Sequence, residues 1–202
     1  MDSNITASNI REAEGDLFDA PDGTALIHAC NCQGSWGKGI AQAFRIKYPA
    51  AFTVYKSHCD NYLKDPQDLE VSEAPPGTGQ ISRRIRLPEG SALIIPPQKR
   101  DYERPRGKKH WIICLFTSRG YGRSLSSVNV ILENTQLAVV DMKNQLDVLR
   151  SKEFGPENMG IAELRSCRFN SGLFKVEWAH TRNILEESGL EITVVRPVGE
   201  PA

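Results

Sequence analysis

The sequence predicts an α/β fold of three layers, α/β/α, around a mixed and largely parallel central sheet. Short apolar runs alternate with longer stretches whose apolar residues recur at helical spacing. Three of those runs lead directly into turns rich in glycine or other small residues, as buried parallel strands do before their crossover helices. A length of 202 residues, with 40% hydrophobic and 25% charged residues, is typical of one globular domain with an ample core.

The first strand, turn and helix lie in the N-terminal quarter of the chain. Residues 24–30 are almost continuously apolar, which is typical of a buried strand, and residues 31–39 form a glycine-rich turn. Apolar residues then recur at helical spacing until Pro49, which ends that helix and precedes a second one. The glycine turn is therefore expected at the carboxyl end of a strand and at the start of a helix.

The rest of the chain repeats this alternation. The further predicted elements are strands at 92–95 and 111–116, a turn at 117–124, a helix at 127–149, a strand at 161–169, a turn at 170–174, a helix at 178–187 and a strand at 190–195. Ligand clefts of open α/β sheets lie at the carboxyl ends of the strands. We therefore expect the three turns to converge at one edge of the sheet.

We predict one domain over residues 1–202, with surface excursions near 64–78, 98–110 and 150–160. None of these stretches carries a hydrophobic set that could build a core of its own. The stretch 98–110 holds six Lys and Arg residues, which indicates a solvated loop or, alternatively, a nucleic-acid contact.

Charge and composition narrow the class of protein. Twenty-five basic and 25 acidic residues leave no formal net charge, so long-range attraction to nucleic acid or to an anionic membrane is absent. No apolar run approaches the roughly 20 residues of a membrane span. The five cysteines are odd in number and fit a reducing compartment. We expect a monomeric protein of the cytoplasm, the nucleus or both, without membrane contact.

Two of the predicted turns have the features of anion sites. A helix that starts near Gly39 exposes unpaired N–H groups, and the glycines before it let a phosphate approach the main chain. The turn at 118–124 has the same features, with Arg119 and Arg123 nearby. Either turn alone is equally consistent with a tight turn of no further role. The first loop matches neither a dinucleotide fingerprint nor a P-loop.

Four segments in order resemble the macrodomain family, and within it the fungal ADP-ribose 1''-phosphate phosphatases. They are GDLF at 15–18, LIHACNCQGSWGKGIA at 26–41, LFTS at 115–118 and NSGLFKVEW at 170–178. The resemblance covers most of the chain, and the stretches 66–78 and 98–110 and the end beyond Val195 lie outside it. It implies a macrodomain that binds ADP-ribose or ADP-ribose 1''-phosphate and hydrolyses the latter, without a cofactor or a metal. The alternatives are a non-catalytic ADP-ribose reader and a hydrolase that removes ADP-ribose from modified protein or nucleic acid.

The resemblance also implies which residues bind the ligand. Asp16 would accept the adenine amino group, with Leu17 beside the base, and Asn31 would reach the distal ribose. Asp16 could instead be a turn or cap residue, and Asn31 a turn former. The full ligand-binding set is Asp16, Leu17, Ala29, Cys30, Asn31, Trp36, Gly37, Lys38, Gly39, Ile40, Ala41, Ser118, Arg119, Gly120, Tyr121, Asn170, Ser171, Gly172, Leu173, Phe174 and Lys175.

Catalysis is assigned to Asn31 and His28. His28 precedes the glycine loop and could carry a proton near neutral pH, although a histidine on an apolar strand is also a common core residue. Cys114 and Arg119 are one residue too close for a Cys-x5-Arg phosphate loop, and Cys30 and Cys32 lack the second ligand pair of a zinc site. Hydrolysis would then use a positioned water, with loop amides and Arg119 stabilising the developing charge.

One departure concerns the macrodomains that cleave ADP-ribose from carboxylate side chains through a lysine adduct. Ser118 and Phe174 stand where that branch has its lysine and aspartate. The adduct mechanism is therefore not expected here, unless Lys38 or Lys175 takes the place of that lysine.

Overall fold

The computed structural model describes residues 8–72, 82–151 and 160–200. Two short 3₁₀ turns, Leu17–Asp19 and Gly122–Ser124, accompany the helices and strands. In chain order the helices and strands are β1 (Ile10–Glu14), β2 (Thr24–Asn31), α1 (Gly39–Lys47), α2 (Pro49–Lys64), β3 (Asp68–Ser72), β4 (Ser82–Arg86), β5 (Ala92–Ile95), α3 (Lys99–Tyr102), β6 (Trp111–Ser118), α4 (Val128–Arg150), β7 (Glu163–Ser166), α5 (Trp178–Glu187) and β8 (Ile192–Arg196).

Six of the strands form one sheet in the order β1-β8-β7-β2-β6-β5. All neighbouring pairs are parallel except β5 and β6, which are antiparallel. The prediction of a mixed, largely parallel sheet is confirmed. Because five strands point the same way, their carboxyl ends meet at one edge, and the antiparallel β5 brings its N-terminal end to that edge.

The two faces of the sheet are covered by different helices because successive side chains of a strand point to opposite sides. On β2, Ala25 and Ile27 join a core cluster that includes Met142 of α4 and Leu185 of α5. Leu26 joins a second cluster, which contains the aromatic residues of α1 and α2. The predicted three-layer arrangement is therefore confirmed. Helices α4 and α5 form one outer layer, and helices α1 and α2 form the other.

Strand β3 lies in the surface excursion that we expected near 64–78, and it forms a two-stranded antiparallel sheet with β4, which follows that stretch. The residues 73–81 between the two strands, and residues 152–159 of the third predicted excursion, lie outside the described part of the chain. Asp68 of β3 pairs with Arg84 at 2.9 Å and with Arg86 at 3.0 Å across the hairpin. Opposite charges on facing strands stabilise such a ribbon, and this signal does not depend on apolar periodicity.

The stretch 98–110 contains the short helix α3 and two buried polar side chains. The carboxylate of Asp101 accepts hydrogen bonds from the N–H groups of Ala50 and Ala51, in the first turn of α2. His110 lies 2.6 Å from the Tyr48 hydroxyl through Nδ1. These contacts tie an otherwise exposed basic stretch to the core. None of the described helices combines the length and the apolar character needed to cross a membrane.

Candidate functional site

A cleft of about 1130 Å³ opens at the carboxyl edge of the sheet. That volume is slightly above the roughly 300–1,000 Å³ that is typical of small-molecule sites. The cleft is lined by the turn after β1, Ala29 of β2, the start of α1, the segment after β7, and the end of β8 with the segment after it. The lining residues are Gly15, Asp16, Leu17, Asp19, Ala29, Lys38, Gly39, Ile40, Ala41, Cys167, Arg168, Phe169, Asn170, Ser171, Gly172, Leu173, Phe174, Val195, Arg196, Pro197, Val198 and Glu200.

The N-terminus of α1 forms one wall. Gly39 has a φ of +59°, in the left-handed region that favours glycine, and it allows the chain to turn sharply into the helix. Lys38 precedes the helix in an extended conformation, and its side chain makes no capping hydrogen bond. The first N–H groups of α1 therefore keep their capacity to bind an anion, and the helix dipole favours negative charge there.

The turn at 170–174 forms the opposite wall, and the side chain of Asn170 holds it in place. Asn170 has a φ of +66° and is buried. Its Oδ1 accepts a hydrogen bond from the Thr117 hydroxyl at 2.9 Å, and its Nδ2 donates to Oγ1 of Thr135 at 2.9 Å and of Thr181 at 3.4 Å. The turn is thereby attached to β6, α4 and α5 at once. A buried network with satisfied partners of this kind rigidifies the element it holds.

Asp16 and Leu17 line the end of the cleft next to β1. Oδ1 of Asp16 accepts a hydrogen bond from the N–H of Phe18 at 2.9 Å and so caps the short 3₁₀ turn Leu17–Asp19. Leu17 is buried, whereas Asp16 is exposed in the cleft. The two interpretations of Asp16, cap residue and ligand residue, are therefore compatible in one side chain.

Asn31 organises the first glycine loop from within. Its Nδ2 donates to the Ser35 carbonyl at 2.7 Å, and its Oδ1 accepts from the N–H groups of Gln33 at 3.0 Å and Ser35 at 3.3 Å. The Tyr55 hydroxyl donates to the Asn31 carbonyl at 2.7 Å. The Asn31 side chain is buried and is not among the residues that line the cleft. This geometry favours the turn-former interpretation.

His28 lies in the core beneath α1. Its ring stacks on Phe44 with centroids 4.0 Å apart and meets the indole of Trp36 edge-on at 4.9 Å. His28 is fully buried and does not line the cleft, so its placement favours the core interpretation. Trp36, expected beside the ligand, is also fully buried and stacks on Tyr55.

His28, Cys30 and Cys114 bring their nitrogen and sulfur atoms within 4.8 Å of one another. A metal would need the thiolate form of these cysteines. All three side chains are buried, and burial raises the pKa of the Cys30 thiol well above its ordinary value, so in the protein alone this thiol is protonated. The Trp36 indole N–H also donates to Cys30 Sγ at 3.4 Å. We therefore treat this cluster as part of the core.

Residues 118–121, the part of the second predicted turn that was assigned to the ligand, lie beside the first loop but do not line the cleft. The N–H of Cys32 bonds the carbonyls of Ser118 at 3.2 Å and Arg119 at 3.3 Å, which places the two loops side by side. Arg119 pairs with the buried Glu89 at 3.6 Å. Its guanidinium is therefore partly neutralised.

In the described structure, some predicted site residues lie outside the lining of the cleft. They are His28, Cys30, Asn31, Trp36, Gly37, Ser118, Arg119, Gly120, Tyr121 and Lys175. The cleft instead gains ten residues that the sequence reasoning did not assign to the site: Gly15, Asp19, Cys167, Arg168, Phe169, Val195, Arg196, Pro197, Val198 and Glu200. Most of these follow the carboxyl ends of β7 and β8, and the rule that ligands bind at those ends could have found them.

The cysteine in the lining has no nucleophilic character. Burial raises the pKa of Cys167 to about 12, so its thiol is protonated at neutral pH. A protonated thiol is a poor nucleophile. Covalent catalysis by Cys167 is therefore disfavoured.

Several phosphatases align with this chain over nearly its whole length. It is 59% identical to the ADP-ribose 1''-phosphate phosphatase of Aspergillus fumigatus over 98% of this chain and all of the relative. It is 58% identical to the protein of that name from Aspergillus oryzae, with 99% of both chains covered. The Aspergillus clavatus protein of the same name is 62% identical over 93% of this chain and 94% of its own. No family model matches the sequence.

Solved structures resemble the fold at low sequence identity. The macrodomain of Mycobacterium tuberculosis DarG superposes with a TM-score of 0.61 at 19% identity, with 93% of this chain and 97% of that chain covered. Thermosipho africanus DarTG, solved in complex with ADP-ribose, superposes with a TM-score of 0.60 at 16% identity over 95% of this chain and 43% of that one. These similarities show that the chain has the macrodomain fold.

Proposed function

This chain belongs to the ADP-ribose 1''-phosphate phosphatases, and on that premise we propose that its cleft binds ADP-ribose 1''-phosphate and that the protein hydrolyses it to ADP-ribose and phosphate. Relatives at 58–62% identity carry this name over almost the whole chain. The cleft at the carboxyl edge of the sheet is the site at which the reaction would occur.

The observation that carries the proposal is the pair of backbone-rich walls that face each other across the cleft. A Cβ placed on Gly39, at the start of α1, would lie 3.4 Å from Leu173 in the 170–174 turn. Glycine and free N–H groups on the α1 wall let a phosphate approach the main chain closely. The two walls therefore approach each other at the start of α1, where the absence of a side chain on Gly39 leaves the main chain accessible to a phosphate in the cleft.

The ends of the cleft differ in chemistry. Asp16 can only accept hydrogen bonds when ionised, and the exocyclic amine of adenine can only donate them. We place the purine beside Asp16 and Leu17, and the diphosphate against the start of α1. Lys38 lines the cleft on the α1 wall and would offset the negative charge of the phosphates.

Hydrolysis requires a water oxygen to attack the terminal phosphorus while the bond from phosphorus to the 1''-oxygen breaks. The water gives up a proton, and the leaving oxygen gains one to become the 1''-hydroxyl of ADP-ribose. The main-chain N–H groups of the α1 wall would stabilise the charge that develops on the phosphoryl oxygens. Because this direct attack by water uses no activated side-chain nucleophile, we expect slow turnover.

The test is phosphate release from ADP-ribose 1''-phosphate by the purified wild-type chain, Asn31→Ala and Asn31→Asp. Asn31→Ala removes the three hydrogen bonds that the Asn31 side chain makes within the 31–35 loop, so release should fall sharply. Asn31→Asp keeps the acceptor for the N–H groups of Gln33 and Ser35 and should fall less. Wild-type protein that releases no phosphate at high concentration would overturn the hydrolase proposal.

A reader of ADP-ribose is the second candidate, and one observation favours it. Among the described residues that line the cleft there is no histidine, and the lining cysteine is protonated. A site whose lining offers neither an imidazole nor a thiolate could bind without turning over. Binding of ADP-ribose by calorimetry, together with no phosphate release, would support this candidate over the hydrolase.

A further inference from the structure

The chain after β8 forms a wall of the cleft that the sequence resemblance did not cover. Arg196, Pro197, Val198 and Glu200 all line the cleft. The Arg196 carbonyl accepts a hydrogen bond from the N–H of Gly15 at 2.9 Å, which places this wall directly beside the Asp16 end. The N–H of Glu200 bonds the Pro197 carbonyl at 3.1 Å and closes the segment into a turn.

Arg168 connects this C-terminal turn to the rest of the cleft. Its Nη2 lies 2.6 Å from Oε2 of Glu12 on β1, and its Nη1 lies 3.4 Å from Oε1 of Glu200. Its carbonyl accepts a hydrogen bond from the Ser171 hydroxyl at 2.5 Å, in the 170–174 turn. One residue therefore contacts β1, the C-terminal turn and the opposite wall, and its side chain is only 13% exposed.

Glu12 on β1, the partner of the Arg168 guanidinium, is itself held by two side chains of α5. Nη1 of Arg182 and the indole N–H of Trp178, both on α5, bond Oε1 of Glu12 at 3.0 Å and 3.2 Å. Burial alone would raise the pKa of Glu12, but the hydrogen bonds from Arg168 and Trp178 and the charges of Arg168 and Arg182 lower it. Glu12 is therefore ionised at neutral pH and holds the Arg168 guanidinium in a fixed orientation.

We propose that Arg168 is a positioning residue, which sets the shape of the purine end by holding the 197–200 turn against β1. This inference rests on the proposed function, because it takes the purine to lie beside Asp16. A guanidinium suits this role because its planar fork reaches two carboxylates on different elements at once. A lysine offers one charged nitrogen and cannot keep both contacts in this geometry.

The position of Glu200 allows a test that spares the fold. The Glu200 side chain is 41% exposed, so Glu200→Gln removes its charge with little effect on the core. Arg168→Lys is the stronger change, since it leaves Glu12 with one guanidinium fewer. Arg182→Lys is the matched control, because Arg182 also bonds Glu12 but comes from α5 and does not line the cleft.

The experiment measures kcat and KM for ADP-ribose 1''-phosphate, the Kd of ADP-ribose and ADP, and the thermal midpoint. Glu200→Gln should raise KM and both Kd values by roughly two- to five-fold, the effect of one partly exposed ion pair. Arg168→Lys should raise them by about ten-fold, because its guanidinium is largely buried. In both variants kcat should stay close to wild type, and ADP should respond as ADP-ribose does because it carries the purine.

Three results would overturn the inference. These are unchanged Kd values in both variants, a loss of kcat with unchanged KM, and an equal rise in Kd for Arg182→Lys. Each of these leaves wild-type binding and phosphate release intact, so the proposed function would survive. Wild-type protein that binds neither ADP-ribose nor ADP would instead overturn the proposed function and this inference with it.

Discussion

Replacing Gly39 by alanine should destabilise the protein and weaken ligand binding together. Gly39 has a φ of +59°, where an L-residue costs about 1–2 kcal/mol. The added Cβ would meet Leu173 Cδ1 at 3.4 Å, an ordinary contact that adds little repulsion. The cost is therefore conformational, and the thermal midpoint should fall by about 2–4 °C for each kcal/mol in a domain of this size.

Gly37→Ala is the matched control in the same loop. Gly37 is not in the left-handed region, and its added Cβ would meet only the Ser35 hydroxyl at 3.4 Å. The free energy of unfolding of Gly37→Ala should stay the same or rise by about 0.4–1 kcal/mol, because alanine lowers the conformational entropy of the unfolded chain.

The assay combines urea unfolding with calorimetric titration of ADP-ribose. If Gly39→Ala relieves its strain by rotating the peptide, an N–H group turns away from the phosphate, and the Kd should rise on the order of ten-fold. Equal stabilities and equal Kd values for the two variants would refute the reasoning that the left-handed turn presents the anion site.

Three further predictions concern other parts of the cleft. Asp16→Asn keeps an oxygen that can accept from the N–H of Phe18, but its amide NH2 group would face the adenine amine, which is also a donor. The Kd of ADP-ribose should therefore rise about ten-fold at constant thermal midpoint. An unchanged Kd would contradict this prediction. Asn170→Ala should cost about 1 kcal/mol more in urea unfolding than Asn170→Gly, because only alanine is strained at positive φ; equal costs would count against this. In the folded protein the pKa of Glu12 lies below its ordinary value of 4.5. The ionised Glu12 therefore contributes stability above pH 4.5, and this contribution is lost as the pH falls through the lowered pKa of the folded state. Glu12→Gln should flatten this acid dependence in unfolding experiments, whereas an unchanged slope would assign it to other carboxylates.

Local patterns in the sequence were sufficient for the main elements. The apolar runs at 24–30 and 111–116 correspond to β2 and β6, and the helical spacing after residue 127 corresponds to α4. The β3–β4 hairpin escaped prediction because its strands, DLEVS and SRRIR, carry few apolar residues. Their charge pairs become visible only when the two strands are placed opposite each other.

The candidate site was predicted in part. The glycine turn before α1 and the 170–174 turn line the cleft because a glycine-rich turn after a parallel strand belongs at the carboxyl edge. Asn31, Trp36 and His28 come from the same stretch of sequence, yet their side chains lie in the loop interior or the core. The direction in which a side chain points from a loop depends on the partners packed around it, such as Tyr55 and Phe44.

The sequence by itself determined the order of the main strands and helices, the α/β/α class, and the place of the turn before α1 and of the 170–174 turn at the carboxyl edge of the sheet. These follow from periodicity and from glycine, which act over a few neighbouring residues. Only the tertiary structure decided that the segment 196–200 lies beside Asp16, where the side chains of Arg168 and Arg196 both connect it to β1. That outcome depends on the position of β8 between β1 and β7 in the sheet. Strands β1 and β8 pair although they are more than 170 residues apart in the sequence, so no local pattern predicts the contact.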